Sequence, residues 1–222
     1  VFEDKDVTME YLLDALSKNF EGEEVLRLRL FNKTPFYGND DDYADSIMQR
    51  VYASLIEEID GKPNTKGGEY HLDMLSTTCH VYFGKMLGAT PNGRYAHLPQ
   101  SDGTSPSHGA DRKGPTAVVK SLSKMDQIKS GGTLLNQRFL PSVLATDSDL
   151  DKLGELVRTY FNLGGHHIQF NIVDSATVRN AQDAPVEYRN LLVRVAGYSD
   201  YFVDLDKEHQ EEIISRTEQQ FS

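Results

Sequence analysis

"LLVRVAGYSDYF", residues 191–202, decides how this chain is read. Residues 191–196 look like a strand entering a core, and residues 198–202 look like the chain leaving it. Gly197 stands between the two, where a branched residue would be ordinary. A turn or bulge accounts for it, because glycine accepts backbone angles that other residues avoid. Another reading of Gly197 needs support from the rest of the sequence.

The 222 residues suffice for one domain with a sizeable core. Lys and Arg total 23 against 34 for Asp and Glu, a formal net charge of −11. No basic face suited to nucleic acid or an anionic membrane is expected from that balance. Cys79 is the only cysteine, so the chain holds no internal disulfide and no cysteine zinc site. A reducing, cytoplasmic compartment is the expectation. The opening "VFEDKD" is charged and lacks the apolar core of a signal peptide, and no apolar run reaches membrane-span length. The chain starts without Met and reads like mid-protein sequence, so a piece or subunit of something larger is expected.

Residues 8–20 carry Met9, Leu12, Leu13, Leu16 and Phe20 at helical spacing behind a Thr8 cap. A second short helix is expected over 23–31, before Pro35. The clearest helix is "DDDYADSIMQRVYASLIEEI", with Tyr43, Ile47, Val51, Leu55 and Ile59 on one stripe. Asp40, Asp41 and Asp42 fit a solvated helix start better than a metal site. Residues 61–147 read as short strands and long glycine-rich loops, with "EYHLDMLST" and "GGTLLNQRFLP" strand-like. The polar stretch 88–114 is long enough to be either functional or disordered. "DSDLDKLGELVRTYFNL" follows as an amphipathic helix with Leu150, Leu153, Leu156, Val157, Tyr160 and Phe161 inward. The strand "HHIQFNIVD", a short helical region over 176–192 and a final charged helix over 207–219 complete an α/β pattern.

In "HHIQFNIVD", alternation points Ile168, Phe170 and Ile172 one way and His167, Gln169 and Asn171 the other. Those three polar side chains face either water on an edge strand or a common buried spot. His166 and His167 point to opposite strand faces and do not share a metal ion easily. "GADRKGPT" places Pro115 where a phosphate loop needs its lysine, so it reads as a loop packed by its glycines and prolines. Read as a strand, "STTCHVYF" points the neighbours Cys79 and His80 apart, so Cys79 is either a nucleophile beside His80 or, the better fit to a core run of Val81, Tyr82 and Phe83, a lone buried thiol.

Taken together, "RVAGYSDYF", "GATPNGR", "SPSHGADRKGPTAVVKS", "GGTLLNQRF", "HHIQFNIVD" and "EEIISRTEQ" resemble, in order, the C-terminal part of the pyruvate formate-lyase-like glycyl radical enzymes. The likeness runs from about Asp40 to Ser222. It is strongest toward the group dehydrating glycerol, propanediol and trans-4-hydroxyproline. The resemblance implies an α/β fold, the C-terminal half of a ten-stranded barrel. Residues 1–60 would be a helical segment preceding it. Residues 61–222 would be the barrel half, with a glycine radical domain over about 110–222.

By resemblance Gly197 is the radical site, and Arg194, Val195, Ala196, Tyr198 and Ser199 form the motif read by an activating enzyme. That partner is a radical-SAM enzyme, and S-adenosylmethionine and an iron–sulfur cluster belong to it; no metal is expected in this chain. A backbone radical suits glycine because the flattened Cα must delocalise into both flanking peptide groups without a side chain in the way. Glycine also lets the chain reach into a crowded site. His167, Gln169 and Asn171 match a strand near the radical loop, and Thr133, Asn136 and Gln137 a strand lining the barrel.

The family's catalytic cysteine sits in a Gly-Cys-x-Glu type motif, which this sequence lacks. The resemblance therefore implies the radical-bearing portion of a larger anaerobic, homodimeric lyase, cytoplasmic or inside a microcompartment. Other readings are a spare-part radical carrier, a carbon–nitrogen or carbon–sulfur lyase, a decarboxylase or a formate acetyltransferase. Half a barrel by itself is expected to expose strand edges and to associate.

Overall fold

The computed structural model describes residues 1–220; Phe221 and Ser222, the end of the expected barrel half, lie outside the described residues. In chain order the elements are α1 (Met9–Ser17), α2 (Glu24–Lys33), α3 (Asp42–Ile59), β1 (Asp73–Met74), α4 (Cys79–Met86), α5 (Gly114–Ser123), β2 (Gly132–Thr133), β3 (Leu135–Phe139), α6 (Asp147–Asn162), β4 (Ile168–Ile172), α7 (Ser175–Asp183), β5 (Leu192–Arg194), β6 (Ser199–Tyr201), α8 (Lys207–Ser215) and β7 (Glu218–Gln219). None of the described helices is long and apolar enough to cross a membrane. Two compact units result. One holds Val1–Pro35 with Cys79–Gln100, and the other holds Phe36–Thr78 and the chain from Ser101 on.

In the first unit α1 starts where Thr8 accepts the Tyr11 N–H at 3.1 Å, and Ala15, Phe20 and Leu26 form its core. The α4 helix corrects the strand-like reading of "STTCHVYF". With a period near 3.6, Cys79, Tyr82, Phe83 and Met86 fall on one exposed face, while His80, Val81 and Gly84 are buried. Cys79 is therefore an exposed thiol at a helix start, not a core thiol. Gly84 has a tighter reason to be glycine: an added Cβ would lie 2.3 Å from the Leu98 carbonyl oxygen.

In the second unit β4, β3 and β7 form a parallel sheet in that order, with Asn136 beside Gln169 and Arg138 beside Asn171. Parallel neighbours need a crossover, and α6 supplies it between β3 and β4. One sheet face packs Leu135 and Phe139 against Val118, Val119, Leu122, Leu156 and Tyr160 from α5 and α6. Within α6, Leu153 and Val157 are half-buried, but Leu150 and Phe161 are exposed, so its inward stripe is narrower than the sequence suggested. Gln127 links this layer, accepting from Thr133 Oγ1 at 2.8 Å, the Tyr160 hydroxyl at 3.1 Å and the His166 N–H at 3.0 Å. A second core joins Val178, Ala181, Val193, Val195, Phe202 and Ile213 from α7, α8 and the β5–β6 hairpin.

Several boundaries differ from the sequence reading. "GPTAVVKSLS" is the helix α5 rather than loop, because Pro115 is preset for a first helical turn and Val118, Val119 and Leu122 return to one face. "EYHLDMLST" contributes only the two residues of β1. The helical region expected over 176–192 stops at Asp183. The final helix stops at Ser215, since Arg216 turns extended and Glu218 and Gln219 join the sheet as β7. On α3, the stripe of Tyr43, Ile47, Val51 and Leu55 is exposed, and the helix buries Ala44, Asp45 and Tyr52 instead.

That rotation follows from a polar anchor. Asp45 is fully buried and accepts from Lys124 Nζ at 2.7 Å and Ser121 Oγ at 3.0 Å. Lys124 also reaches Asp40 at 3.1 Å and Asp42 at 2.8 Å. Burial pulls the Lys124 ammonium's proton affinity down, but hydrogen bonds to Asp42, Asp45 and Asp40 outweigh it and raise the pKa. The aspartates at the start of α3 thus serve as a cap and a lysine dock; Asp41 accepts the Tyr43 N–H at 3.1 Å. Lys124→Ala strands the Asp45 carboxylate and should cost on the order of 3 kcal/mol. Urea unfolding measures it, and restoring most of the loss with Asp45→Asn in the same chain would show that the stranded charge is the cause.

Candidate functional site

The β5–β6 hairpin closes through Val195 N–H donating to the Tyr198 carbonyl at 2.9 Å, leaving Ala196 and Gly197 as the turn. Gly197 has φ +83°, a left-handed angle that side chains resist. The turn alone therefore justifies glycine. Crowding does not: an added Cβ would meet only Leu134 Cδ1, at 3.9 Å. Gly197 is exposed in this chain, while Val195 and Ala196 just before it are buried.

Side chains dock this hairpin to the sheet. Among the described residues, the backbone of β5 pairs only with β6. Asn171 brackets the Arg194 peptide instead, accepting its N–H at 2.7 Å and donating to its carbonyl at 2.7 Å. An amide side chain thus imitates a neighbouring strand. Gln169 Oε1 accepts from Arg194 Nε at 2.7 Å and from the Gly197 N–H at 3.3 Å. Arg194 returns across the turn, donating to the Gly197 carbonyl at 3.1 Å and to Ser199 Oγ at 3.3 Å. Gln169 Nε2 donates to Asn136 Oδ1, and Asn136 Nδ2 donates to Asp102 and, at 3.3 Å, to the Val195 carbonyl.

A buried guanidinium completes the dock. Arg216 donates to the carbonyls of Arg194 at 3.0 Å and Val195 at 2.8 Å, and it pairs with Glu212 Oε2 at 2.8 Å. Burial opposes its charge, yet Glu212 and then Asp102 keep the guanidinium protonated, with its pKa raised. His108 Nε2 lies 3.3 Å from Glu212 Oε1. Asp102, His108 and Glu212 stand close enough to share an ion, but Arg216 already supplies their counter-charge.

The sequence-derived residues thus divide. Gln169, Asn171 and Asn136 converge on the turn with Arg194, and both Gln169 and Asn171 are buried rather than wet. Thr133 belongs to the Gln127 cluster instead. Gln137 shares its strand face with Leu135 and Phe139 and is buried, and its side-chain amide has no hydrogen-bond partner among the described residues. His167 is half-buried beside the hairpin; burial, and secondly the Arg194 charge, hold its imidazole below the ordinary 6.5. The Tyr198 phenol is pushed up by burial and by Asp200 and Asp206. Sequence reasoning missed Asp102, His108, Glu212 and Arg216. Only the Glu212–Arg216 spacing of four in "EEIISRTEQ" hinted at a helical ion pair.

Comparison with known proteins gives this geometry a family. Residues 100–203 match the glycine radical model, and residues 1–84 match the pyruvate formate lyase-like model. The chain belongs to the glycyl radical enzymes. It is 56% identical over 221 residues to the trans-4-hydroxy-L-proline dehydratase of Clostridioides difficile, covering all of this chain and 28% of that enzyme. The substrate-bound crystal structure of the hydroxyproline dehydratase from that organism superposes with a TM-score of 0.97, again over 100% of this chain and 28% of that one. The glycerol-bound glycerol dehydratase of Clostridium butyricum gives 0.94 at 40% identity, covering 100% and 28%. Isethionate sulfite-lyase of Bilophila wadsworthia is 43% identical over 98% of this chain and 26% of that enzyme. The chain thus spans just over a quarter of the length of these relatives, and the α/β architecture is that of the glycyl radical enzyme barrels.

Two measurements check the docking geometry. Asn171→Ala should speed hydrogen exchange at the Arg194 amide by about 5- to 150-fold, as about 1–3 kcal/mol of buried pairing is lost. Because His167 titrates lower when folded, the unfolded chain takes up that proton first. Its contribution to stability is intact above the ordinary 6.5 and falls as pH drops through that value. A histidine NMR titration should show the His167 midpoint below 6.5 in the folded chain.

Proposed function

We propose that Gly197 is the radical site, and that the chain is the radical-bearing, C-terminal portion of a dehydratase, a carbon–oxygen lyase. The radical domain would begin near residue 110. The supporting observation is local: Gly197 lies inside the matched glycine radical region, and where a Cβ would stand the nearest atom is Leu134 Cδ1 at 3.9 Å. One Cα hydrogen is thereby reachable, while Gln169 and Arg194 hold the two peptide groups beside it.

Activation moves one hydrogen atom. The Cα–H bond of Gly197 breaks and the atom passes to a carbon radical supplied by a radical-SAM activating enzyme, which carries the iron–sulfur cluster and consumes S-adenosylmethionine. Arg194, Val195, Ala196, Tyr198 and Ser199 present the turn to that partner. The stored radical then takes a hydrogen atom from a cysteine thiol in the portion of the enzyme outside this chain. The glycine Cα–H is restored and a thiyl radical remains. That thiyl removes a substrate hydrogen, the adjacent hydroxyl leaves as water with help from a glutamate, also outside this chain, and the product radical takes the hydrogen atom back from the thiol, regenerating the thiyl. The substrate is a small hydroxylated compound such as hydroxyproline, propanediol or glycerol. The 56% identity to a hydroxyproline dehydratase puts that substrate first. The full protein would be a cytoplasmic homodimer of an anaerobe. A carbon–sulfur lyase is the second reading, carried by the 43% identity to isethionate sulfite-lyase.

The test is chemical. After anaerobic activation of the full-length enzyme and admission of air, mass spectrometry should find the backbone cut at Gly197, with no cut in Gly197→Ala. An intact parent chain that had taken up a radical would contradict the assignment. Release of water from hydroxyproline, against sulfite from isethionate, separates the two lyase readings.

A further inference from the structure

A radical at a glycine Cα is stabilised from both sides. The amide nitrogen donates electron density into the half-filled orbital, and the carbonyl withdraws it. Anything that polarises the N–H makes nitrogen a better donor, and anything that polarises the C=O makes it a better acceptor. Both groups of Gly197 are addressed in this fold. Its N–H donates to Gln169 Oε1 at 3.3 Å, and its carbonyl accepts from the Arg194 guanidinium at 3.1 Å.

The two partners are bound to each other, since Arg194 Nε donates to the same Gln169 Oε1 at 2.7 Å. A continuous loop therefore runs from nitrogen to carbonyl around the glycine. The loop is fixed from outside. Gln169 is buried, and its other amide atom is tied to Asn136. The Arg194 peptide is bracketed by Asn171 and held again by Arg216. Neither partner is needed to form the turn, which the Val195–Tyr198 bond closes by itself.

We propose that Gln169 and Arg194 are electronic tuning residues that spread the Gly197 radical into its two flanking peptide groups, Gln169 acting on the nitrogen and Arg194 on the carbonyl. This inference rests on the assignment of the radical to Gly197. A charged donor at a carbonyl polarises it more than a neutral one. The arrangement gives Arg194 a role beyond presenting the motif to a partner, and it explains why the polar face of β4 is turned to the hairpin rather than to water.

The experiment is electron paramagnetic resonance of the activated full-length enzyme and of its Gln169→Leu, Gln169→Glu and Arg194→Lys variants. Losing either partner returns spin density to Cα. The doublet splitting of Gln169→Leu and Arg194→Lys should widen, and the anaerobic half-life of the radical should shorten several-fold. Gln169→Glu keeps an acceptor oxygen and should restore both values. A Gln169→Leu or Arg194→Lys enzyme that keeps the parent splitting and half-life overturns the half of the inference that it tests. Electron–nuclear double resonance on the parent, labelled with ¹⁵N-arginine, needs no substitution. A guanidinium coupling supports the Arg194 contact, and its absence overturns it. A parent enzyme with no doublet at all counts instead against the radical assignment, a result distinct from a doublet of the wrong width.

Discussion

The Asn171 bracket on the Arg194 peptide is the contact on which the site depends. A strand laid beside another strand ordinarily binds by its backbone ladder. Here β5 lies beside β4 and binds through a side-chain amide, with N–H and carbonyl both satisfied at 2.7 Å. The substitution matters because a ladder would fix every residue of β5 equally. One bracket plus Gln169, Asn136 and Arg216 fixes the residues just ahead of the turn and leaves Gly197 exposed.

Burial gives these contacts their strength. Gln169, Asn171, Asn136 and Arg216 are all nearly inaccessible, so each hydrogen bond forms where the alternative is an unpaired buried polar group. Arg216 carries most of the electrostatic weight. Its charge is offset by Glu212 and Asp102, which lets a guanidinium sit in the interior while donating to two carbonyls of the hairpin. The apolar core of Val193, Val195, Phe202 and Ile213 sets the hairpin's position, and the polar dock sets its register.

Much of this was legible in the sequence. The alternation of "HHIQFNIVD" put Gln169 and Asn171 on one face, and the glycine between two short strands marked the turn. Whether that face was wet or buried was not legible, since alternation gives sides and not neighbours. Contacts made at long range left no local signal: Asp102 comes from an irregular loop and Arg216 from just past the end of a helix. Helix α5 hid behind its Gly-Pro start, where the glycine reads as a breaker although Pro115 favours a first turn. Cys79 was misplaced because a period of two was assumed where the chain follows 3.6. On α3 the visible apolar stripe lost to the buried Asp45–Lys124 anchor, which a hydrophobicity pattern does not weigh.

The most direct test of the account is electron paramagnetic resonance of the anaerobically activated enzyme carrying glycine labelled with ¹³C at the α-carbon. A doublet that gains a large ¹³C splitting, and that vanishes in Gly197→Ala, is the predicted result. A signal unchanged by the label, or one surviving in Gly197→Ala, would contradict the assignment of the radical to this turn.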